Sequence, residues 1–515
     1  MYQLIQRLGK LLFRRTLRSF EQAQNRPWES QQKCLAQILR HNRDTLFGRH
    51  YRFGEIRSPE AFQQQVPVTT YKTMQPFYES ISQGASNVLF SDPVISFLMT
   101  SGTSGQPKLL PLSRRGLAHF QRQDLIVFAK MLMSSIRSDA LRGHFLTFSA
   151  PETLPKRVGC YPIGYITGVV ATQQPRFLNR LRRIHPRRAV LNMTNWEAKL
   201  YLTGLEVADK DIRVMFGMPS NIVAFLRAFI SDVAPGLLSD PEAPTEVTRR
   251  IRYAMHRGEL QMARLWPHMR FLIYGGVDVN PYMPYLRSQF PNLSTLATYW
   301  ATEAPLGLQF FDKGINPAVD TVFFEFLPAD KASESQPLLL NEVKRQTPYR
   351  LLITTAGGFY RYDLGDVVSF SRLSPPTIEI LGRAGTISSI AGERLLEQQL
   401  TEALRGACEA TNATVATFCA APVISAQRTG YDIYVEFLRE PGDPARFAET
   451  IDAVLRHLNF GYDTERAAQV LSPTRLVRVP SGALEALFTE GHPVKGGGKV
   501  PVISESSRLS RLAKT

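Results

Sequence analysis

Residues Thr100 to Lys108 read TSGTSGQPK, and the meaning of this stretch decides how the rest of the chain is read. Six consecutive Gly, Ser or Thr residues, 100–105, leave the backbone free to wrap a polyanion. Their amides and hydroxyls match phosphate oxygens, and Lys108 adds a positive charge. A Walker A loop needs GxxxxGK followed by Ser or Thr; here Pro107 precedes the lysine, which excludes it. Tracts of this composition are often flexible linkers. This one lies inside a folded region, between the strand-like "NVLFSDPVISFLMT" and "RRGLAHFQRQDLIVFAKMLMSSI", which reads as one long helix. A buried loop of this composition is better explained as a phosphate cradle.

Outward from the loop, strands and helices alternate. "GHFLTFSAP" reads as a strand, and "DIRVMFGMPSNIVAFLRAFI" as strand, turn and helix. "MRFLIYGG" and "LSTLATYWATE" are strands ending in glycines and in polar residues. Before the loop, residues 28–81 read as helices with loops, and "VPVTTY" as a short strand. This is the pattern of an α/β fold whose ligands gather beyond the carboxyl ends of its strands. Near Ser369 to Pro376 the chain turns polar and proline-bearing. A second alternation follows: "TIEILG", "TISSIAGE", "LLEQQLTEALRGA", "YDIYVEFL" and "FAETIDAVLRHLN". The expected domains are therefore 1–382, large and with mixed sheets and helices, and 383–515, small and α+β.

With 515 residues, 44% of them hydrophobic, the chain can build one large core and a smaller one. Its longest apolar runs, such as Leu125 to Ala129, fall short of the roughly 20 residues a membrane helix needs, so no span is expected. Leu4, Ile5, Leu8, Leu11 and Leu12 recur at helical spacing among Arg7, Lys10, Arg14, Arg15 and Arg18. No small-residue cleavage site follows, so this is read as a basic amphipathic helix packed on its own domain. Cys34, Cys160, Cys408 and Cys419 are too scattered for a metal site or a disulfide framework, and a reducing cytoplasm fits them. A net charge of +16 favours anionic partners, ATP included. The basic residues form no block and no nucleic-acid-binding signature, so no nucleic acid is expected.

Two more segments carry chemistry. In "TYWATE", Thr298 to Glu303, Tyr299 offers a face for a base, Thr302 a hydroxyl, and Glu303 a carboxylate suited to Mg²⁺. Taken alone, this stretch reads more readily as a strand end with a solvated acid. In "GGFYRYDLGDVV", Gly357 to Val368, Gly365 is expected to make a turn that aims Asp366 outward, where a carboxylate can accept ribose hydroxyls. A hairpin with a turn aspartate is an equally good reading of that segment by itself.

In combination, order and interval, the three segments resemble the adenylate-forming superfamily. "LMTSGTSGQPKLLP", "LATYWATEAPLGLQ" and "LLITTAGGFYRYDLGDVV" are similar to the three nucleotide motifs of one branch, the GH3 acyl acid amido synthetases. "AFQQQVPVTTYKTMQPFYESISQG" and "LWPHMRFLIYGGVDV" extend the likeness to nearly the whole chain. The resemblance implies that Ser101, Gly102, Thr103 and Ser104, with Lys108, hold the ATP phosphates. It implies that Tyr299 stacks on adenine, Thr302 reaches the α-phosphate, Glu303 binds Mg²⁺ and Asp366 binds the ribose. Arg383 in "LGRAGT" matches the hinge-region arginine, and Lys499 in "GGGKVP" falls where the C-terminal loop lysine of the family falls, although Lys495 is a nearby competitor. Two positions depart from the pattern. Trp300 replaces a small residue and is expected to narrow the acyl pocket, and Thr386 sits where many members carry a hinge aspartate.

The implied activity is formation of an acyl-adenylate from ATP and a carboxylic acid, then amide formation with an amino acid or other amine. Ile166, Met218 and Val277, beside the strand ends, are expected to line the acyl pocket. A CoA ligase with the same first step is the nearest rival. A non-catalytic basic protein on anionic membrane or nucleic acid is the rival of another class.

Overall fold

The computed structural model describes the chain apart from residues 1, 101–107, 134–137, 277–278, 312, 330–335, 384–389, 391–392, 394, 425–427, 468–469, 490–499, 505, 510 and 513–515. Its centre is a seven-stranded sheet. In spatial order its strands are Asn316–Pro317, Pro305–Leu308, Ser294–Trp300, Phe271–Tyr274, Ile212–Gly217, His144–Phe148 and Ile184–His185. The five from Ser294–Trp300 onward run parallel, and Pro305–Leu308 is antiparallel to both of its neighbours, Ser294–Trp300 and Asn316–Pro317. Parallel strands need cover on both faces, and side chains alternate between those faces. Leu146, Met215 and Leu272 enter one core with the helices Trp196–Val207 and Pro219–Ala228. Phe145, Val214, Phe271, Ile273 and Leu296 enter another, beneath the helix Arg114–Met133.

The helix Tyr2–Asn25 packs on that second face: Phe13 and Phe20 are buried with Ile126, Val127 and Phe128, while Arg14, Arg15 and Arg18 are exposed. Its described half thus lies on its own domain. The stretch Asn221–Ser239 is long and apolar enough by composition to cross a membrane, a possibility the count of uninterrupted apolar runs overlooked. In this fold its Ile222, Phe225, Leu226, Phe229 and Val233 are core residues.

Two smaller sheets frame the site. Val94–Met99 and Leu109–Ser113 form an antiparallel pair joined by the 101–107 segment, and Tyr161–Gly164 runs parallel to the first of them. Ser113 Oγ accepts from Gly116 N at 3.0 Å and so starts the helix Arg114–Met133. The other is a four-stranded antiparallel sheet of Val322–Pro328, Tyr349–Thr355, Tyr362–Leu373 and Pro376–Arg383. Beyond it, Thr414–Ile424, Thr429–Arg439 and Arg475–Arg478 make a three-stranded sheet, packed by the helices Glu397–Thr411 and Pro444–Leu458 around a core of their own.

Three local expectations change. "VPVTTY" is not a strand: Pro67 has no N–H to give a ladder, and Thr70 caps the helix Tyr71–Ser82, so Thr69 makes only a single bridge to Tyr362. "NVLFSDPVISFLMT" becomes a strand only from Val94, after Pro93. Gly365 makes no chain reversal. It sits at φ +81° in a bulge inside a continuous strand, where Leu364, Gly365 and Asp366 stand opposite Leu351 alone. The extra residues re-aim the strand without ending it.

Candidate active site

The strand Ser294–Trp300 ends at the carboxyl edge of the central sheet, where ligands gather in such folds. Gly275, at the end of the neighbouring strand, allows close approach: a Cβ there would stand 2.7 Å from Thr298 Oγ1. After Trp300 the chain turns tightly, with Ala301 N donating to Ala304 O at 3.0 Å. Thr302 and Glu303 sit half-buried at the tip of that turn.

The bulge at Gly365 brings the second segment to the third. Tyr299 Oη donates to Asp366 Oδ2 at 2.6 Å across 67 positions of sequence. The Tyr299 ring is 6% exposed, embedded with Phe359 and Tyr362. Asp363, two residues before Gly365, pairs with Arg350 at 3.2 Å and accepts from Gly365 N at 3.0 Å. Burial pushes its carboxyl above the usual range; Arg350, the Gly365 N–H and Lys108 oppose that, and Asp366 adds to it. Lys108 therefore lies in electrostatic reach of the Asp363 carboxylate. It also sits over the Tyr71 ring, 5.4 Å from the centroid, while Tyr71 Oη accepts from Leu109 N at 3.3 Å.

Glu303 joins the same neighbourhood. Tyr78 is 3% exposed, and its phenol is pushed well above its ordinary value by burial first, then by Tyr362, Glu303 and Tyr71. Lys108 is thus felt by Asp363, Glu303 is felt by Tyr78, and Tyr299 meets Asp366, which brings parts of the three segments into one neighbourhood. Ile166 lies in an apolar cluster with Trp300, and Met218 Sδ lies 3.3 Å from where a Cβ of Gly276 would be. Arg383 pairs with Asp366 through the backbone register of adjacent strands. Ser101, Gly102, Thr103, Ser104, Val277 and Lys499 lie outside the described residues.

Tyr71, Tyr78, Asp363 and Arg350 were not singled out in the sequence. Asp363 carried a signal, since it stands inside the "YRYDLGD" segment. Tyr71 and Tyr78 stand in a stretch that carried a family likeness but no chemical signal of its own; tertiary packing sets their helix beside Lys108 and Leu109. Among the described residues no group of three His, Cys, Asp or Glu side chains could hold a metal ion. A Mg²⁺ bound by one carboxylate and by nucleotide phosphates requires no such group, and Glu303, half-buried at the tip of its turn, offers such a carboxylate.

Family models described as the GH3 family N-terminal, central and C-terminal domains match residues 16–295, 316–383 and 398–508. Among curated relatives, the indole-3-acetic acid-amido synthetase GH3.2 of Arabidopsis thaliana is 24% identical over 455 residues, covering 76% of this chain and 80% of its own. The jasmonoyl-L-amino acid synthetase GH3.5 of Oryza sativa subsp. japonica is 23% identical and covers 94% of this chain and 93% of its own. Among solved structures, the GH3.15 acyl acid amido synthetase superposes with a TM-score of 0.75 at 20% identity, over 96% of this chain and 94% of that one. A 2-hydroxyisobutyryl-CoA ligase in its postadenylation state reaches 0.56 at 13% identity, over 93% and 89%, which marks the shared adenylate-forming fold.

Proposed function

We propose, from the premise that this chain belongs to the GH3 family, that it is an ATP-dependent ligase joining a carboxylic acid to an amino acid or other amine through an acyl-adenylate. One observation carries this reading most directly: the 2.6 Å contact of Tyr299 with Asp366, made beside Glu303 and Lys108. Three distant segments then serve one nucleotide.

In the first step a carboxylate oxygen attacks the α-phosphorus of ATP and pyrophosphate leaves. Tyr299 and Asp366 would orient adenine and ribose, and Lys108 with Ser101, Gly102, Thr103 and Ser104 would hold the phosphates. Most of the acceleration comes from such positioning and charge neutralisation. Glu303 would hold Mg²⁺, which supplies positive charge to the phosphates. Thr302 would reach the α-phosphate and Lys499 would approach it from the smaller domain. In the second step the amine nitrogen attacks the acyl carbonyl, the bond to AMP breaks, and the amine proton is released to solvent. Residues 1–382 would bind ATP and acid, and residues 383–515, linked through Arg383, would rotate between the steps. Ile166, Met218 and Val277 would line the acyl pocket. The four cysteines are free, which suits a cytoplasmic protein acting on small molecules.

The test is pyrophosphate exchange over a panel of acids, then mass analysis of products with amino acids and with CoA. Exchange with at least one acid and an amide product are expected. A thioester in place of the amide would reassign the second step, and exchange with no acid would overturn the first. Glu303→Ala and Lys499→Ala should each lower exchange by about 100-fold or more; unchanged rates would remove those two assignments.

A further inference from the structure

The helix Arg114–Met133 presents more than one face. Leu117 and Phe120 pack with Ile166 in an apolar cluster. Gln121, Arg122 and Leu125 instead line a cleft of about 380 Å³. The helix Tyr2–Asn25 forms one side of it with Arg15 and Ser19. Gln174, Pro175 and Leu178, which follow the helix Ile166–Thr172, form the other. Gln121 Nε2 donates to Gln173 O at 2.6 Å and pins that segment to the long helix. The volume falls within the roughly 300–1,000 Å³ of small-molecule sites. Among the described residues, none from the three nucleotide segments lines it, so it is separate from the candidate active site.

Gln174 marks this cleft as a place for a ligand. Its side chain is 6% exposed, yet neither Oε1 nor Nε2 has a hydrogen-bond partner among the described residues. A buried carboxamide left unpaired is costly, and a ligand offering one donor and one acceptor removes that cost. Charge sets the sign of the ligand. Arg15 and Arg122 both line the cleft, and among the described residues no acidic side chain does. Asp320 holds Arg122 through Nη2 at 2.5 Å and takes up part of its charge, while Arg15 is exposed. Leu125, Pro175 and Leu178 add an apolar wall, with Leu178 buried.

We propose that this cleft is a second binding site, for a small carboxylate that also carries an amide and an apolar side chain, which is the chemistry of an N-acyl amino acid. The carboxylate pairs with Arg15 and Arg122. The amide N–H donates to Gln174 Oε1, and the amide carbonyl accepts from Gln174 Nε2. The apolar part lies on Leu125, Pro175 and Leu178. That such a compound is also this chain's own product rests on the adenylation reading above; the recognition chemistry does not. The walls come from three separate elements, so occupancy ties the helix Tyr2–Asn25 to the rest of its domain and stabilises the fold.

The experiment is calorimetric titration and thermal melting of the full-length protein with N-acetyl-L-leucine. It is repeated with N-acetyl-L-leucinamide, which lacks the charge, and with 4-methylpentanoate, which lacks the amide. The native chain should bind N-acetyl-L-leucine at least about tenfold more tightly than either analogue, and its melting temperature should rise with that ligand. Gln174→Leu and Arg15→Ala should each weaken the binding by about tenfold or more. Melts without ligand show that each variant is folded, and Arg15, on the surface, serves if the buried substitution is not tolerated. No binding by the native chain, equal affinity for the three compounds, or native affinity in the folded variants overturns the proposal. So does binding that ATP and Mg²⁺ abolish while both substitutions leave it unchanged, since the ligand then occupies the nucleotide face. Absence of pyrophosphate exchange with every acid strikes the adenylation reading and leaves the binding result standing.

Discussion

Arg361 stands in the middle of the third nucleotide segment, yet its contacts are structural. Its side chain is buried, and its backbone is left-handed at φ +47°. Nε donates to Glu325 Oε1 and Oε2 at 3.0 and 3.1 Å, and Nη1 donates to the carbonyls of Gln63 and Val66, each at 2.6 Å. Glu325 is 1% exposed and otherwise receives a donation from Gln63 Nε2 at 2.9 Å. Arg361 therefore ties the helix Pro59–Gln65 to the sheet that presents Asp366. A buried ion pair is not in itself a large source of stability, but removing one partner strands the other charge. Arg361→Met should lower the unfolding free energy by about 3–5 kcal/mol in urea titrations. An unchanged midpoint would show that Glu325 is satisfied without it.

At the scale of elements, the strand Tyr362–Leu373 and the helix Ala483–Thr489 show how placement overrides local preference. The strand continues through Gly365 because its neighbours on both sides hold it in register, and the bulge alone turns Asp366 toward Tyr299. In the helix, Glu485 occupies the first turn, where a negative charge is ordinarily favoured. Burial, and then the nearby Glu436, nonetheless push its carboxyl from 4.5 up to about 7. Glu436 itself accepts from Gly482 N at 2.8 Å and Leu484 N at 2.7 Å, so it already occupies the helix start. A folded-state pKa above the unfolded one contributes stability that is complete below about 4.5 and is lost as pH rises through about 7. The melting temperature should therefore decline between pH 5 and pH 8, and Glu485→Gln should flatten that decline. Equal slopes for both proteins would refute the assignment.

Over the whole molecule the apolar cores divide. One core draws only on residues 395–503 and another on 419–509, whereas the other four draw their buried members from residues 13–378. Leu438 crosses between the two sets, packing against the core that holds Trp266. Thr414–Ile424 and Glu397–Thr411 also touch the turn Asn280–Tyr282, yet each set keeps an apolar core of its own around which a cooperative unit can form. We propose 383–515 as a separately unfolding domain. Calorimetry of the full chain should resolve two transitions, with ATP and Mg²⁺ raising the one that belongs to residues 1–382. A single transition that shifts as a whole would contradict this.

The sequence by itself determined the chemistry and the class of fold. Glycine-rich loops, strand-ending acids and alternating apolar runs are local properties; they gave an α/β fold, and the order of the three motifs carried the resemblance that implied a ligase using ATP. Only the tertiary structure decided that Tyr299 meets Asp366, that Gly365 bulges instead of turning, and that Tyr71 sits against Lys108 and Leu109. Each depends on register between strands far apart in sequence, or on a helix docked beside a loop. No residue records its eventual neighbour when that neighbour is chosen by the packing of the whole domain.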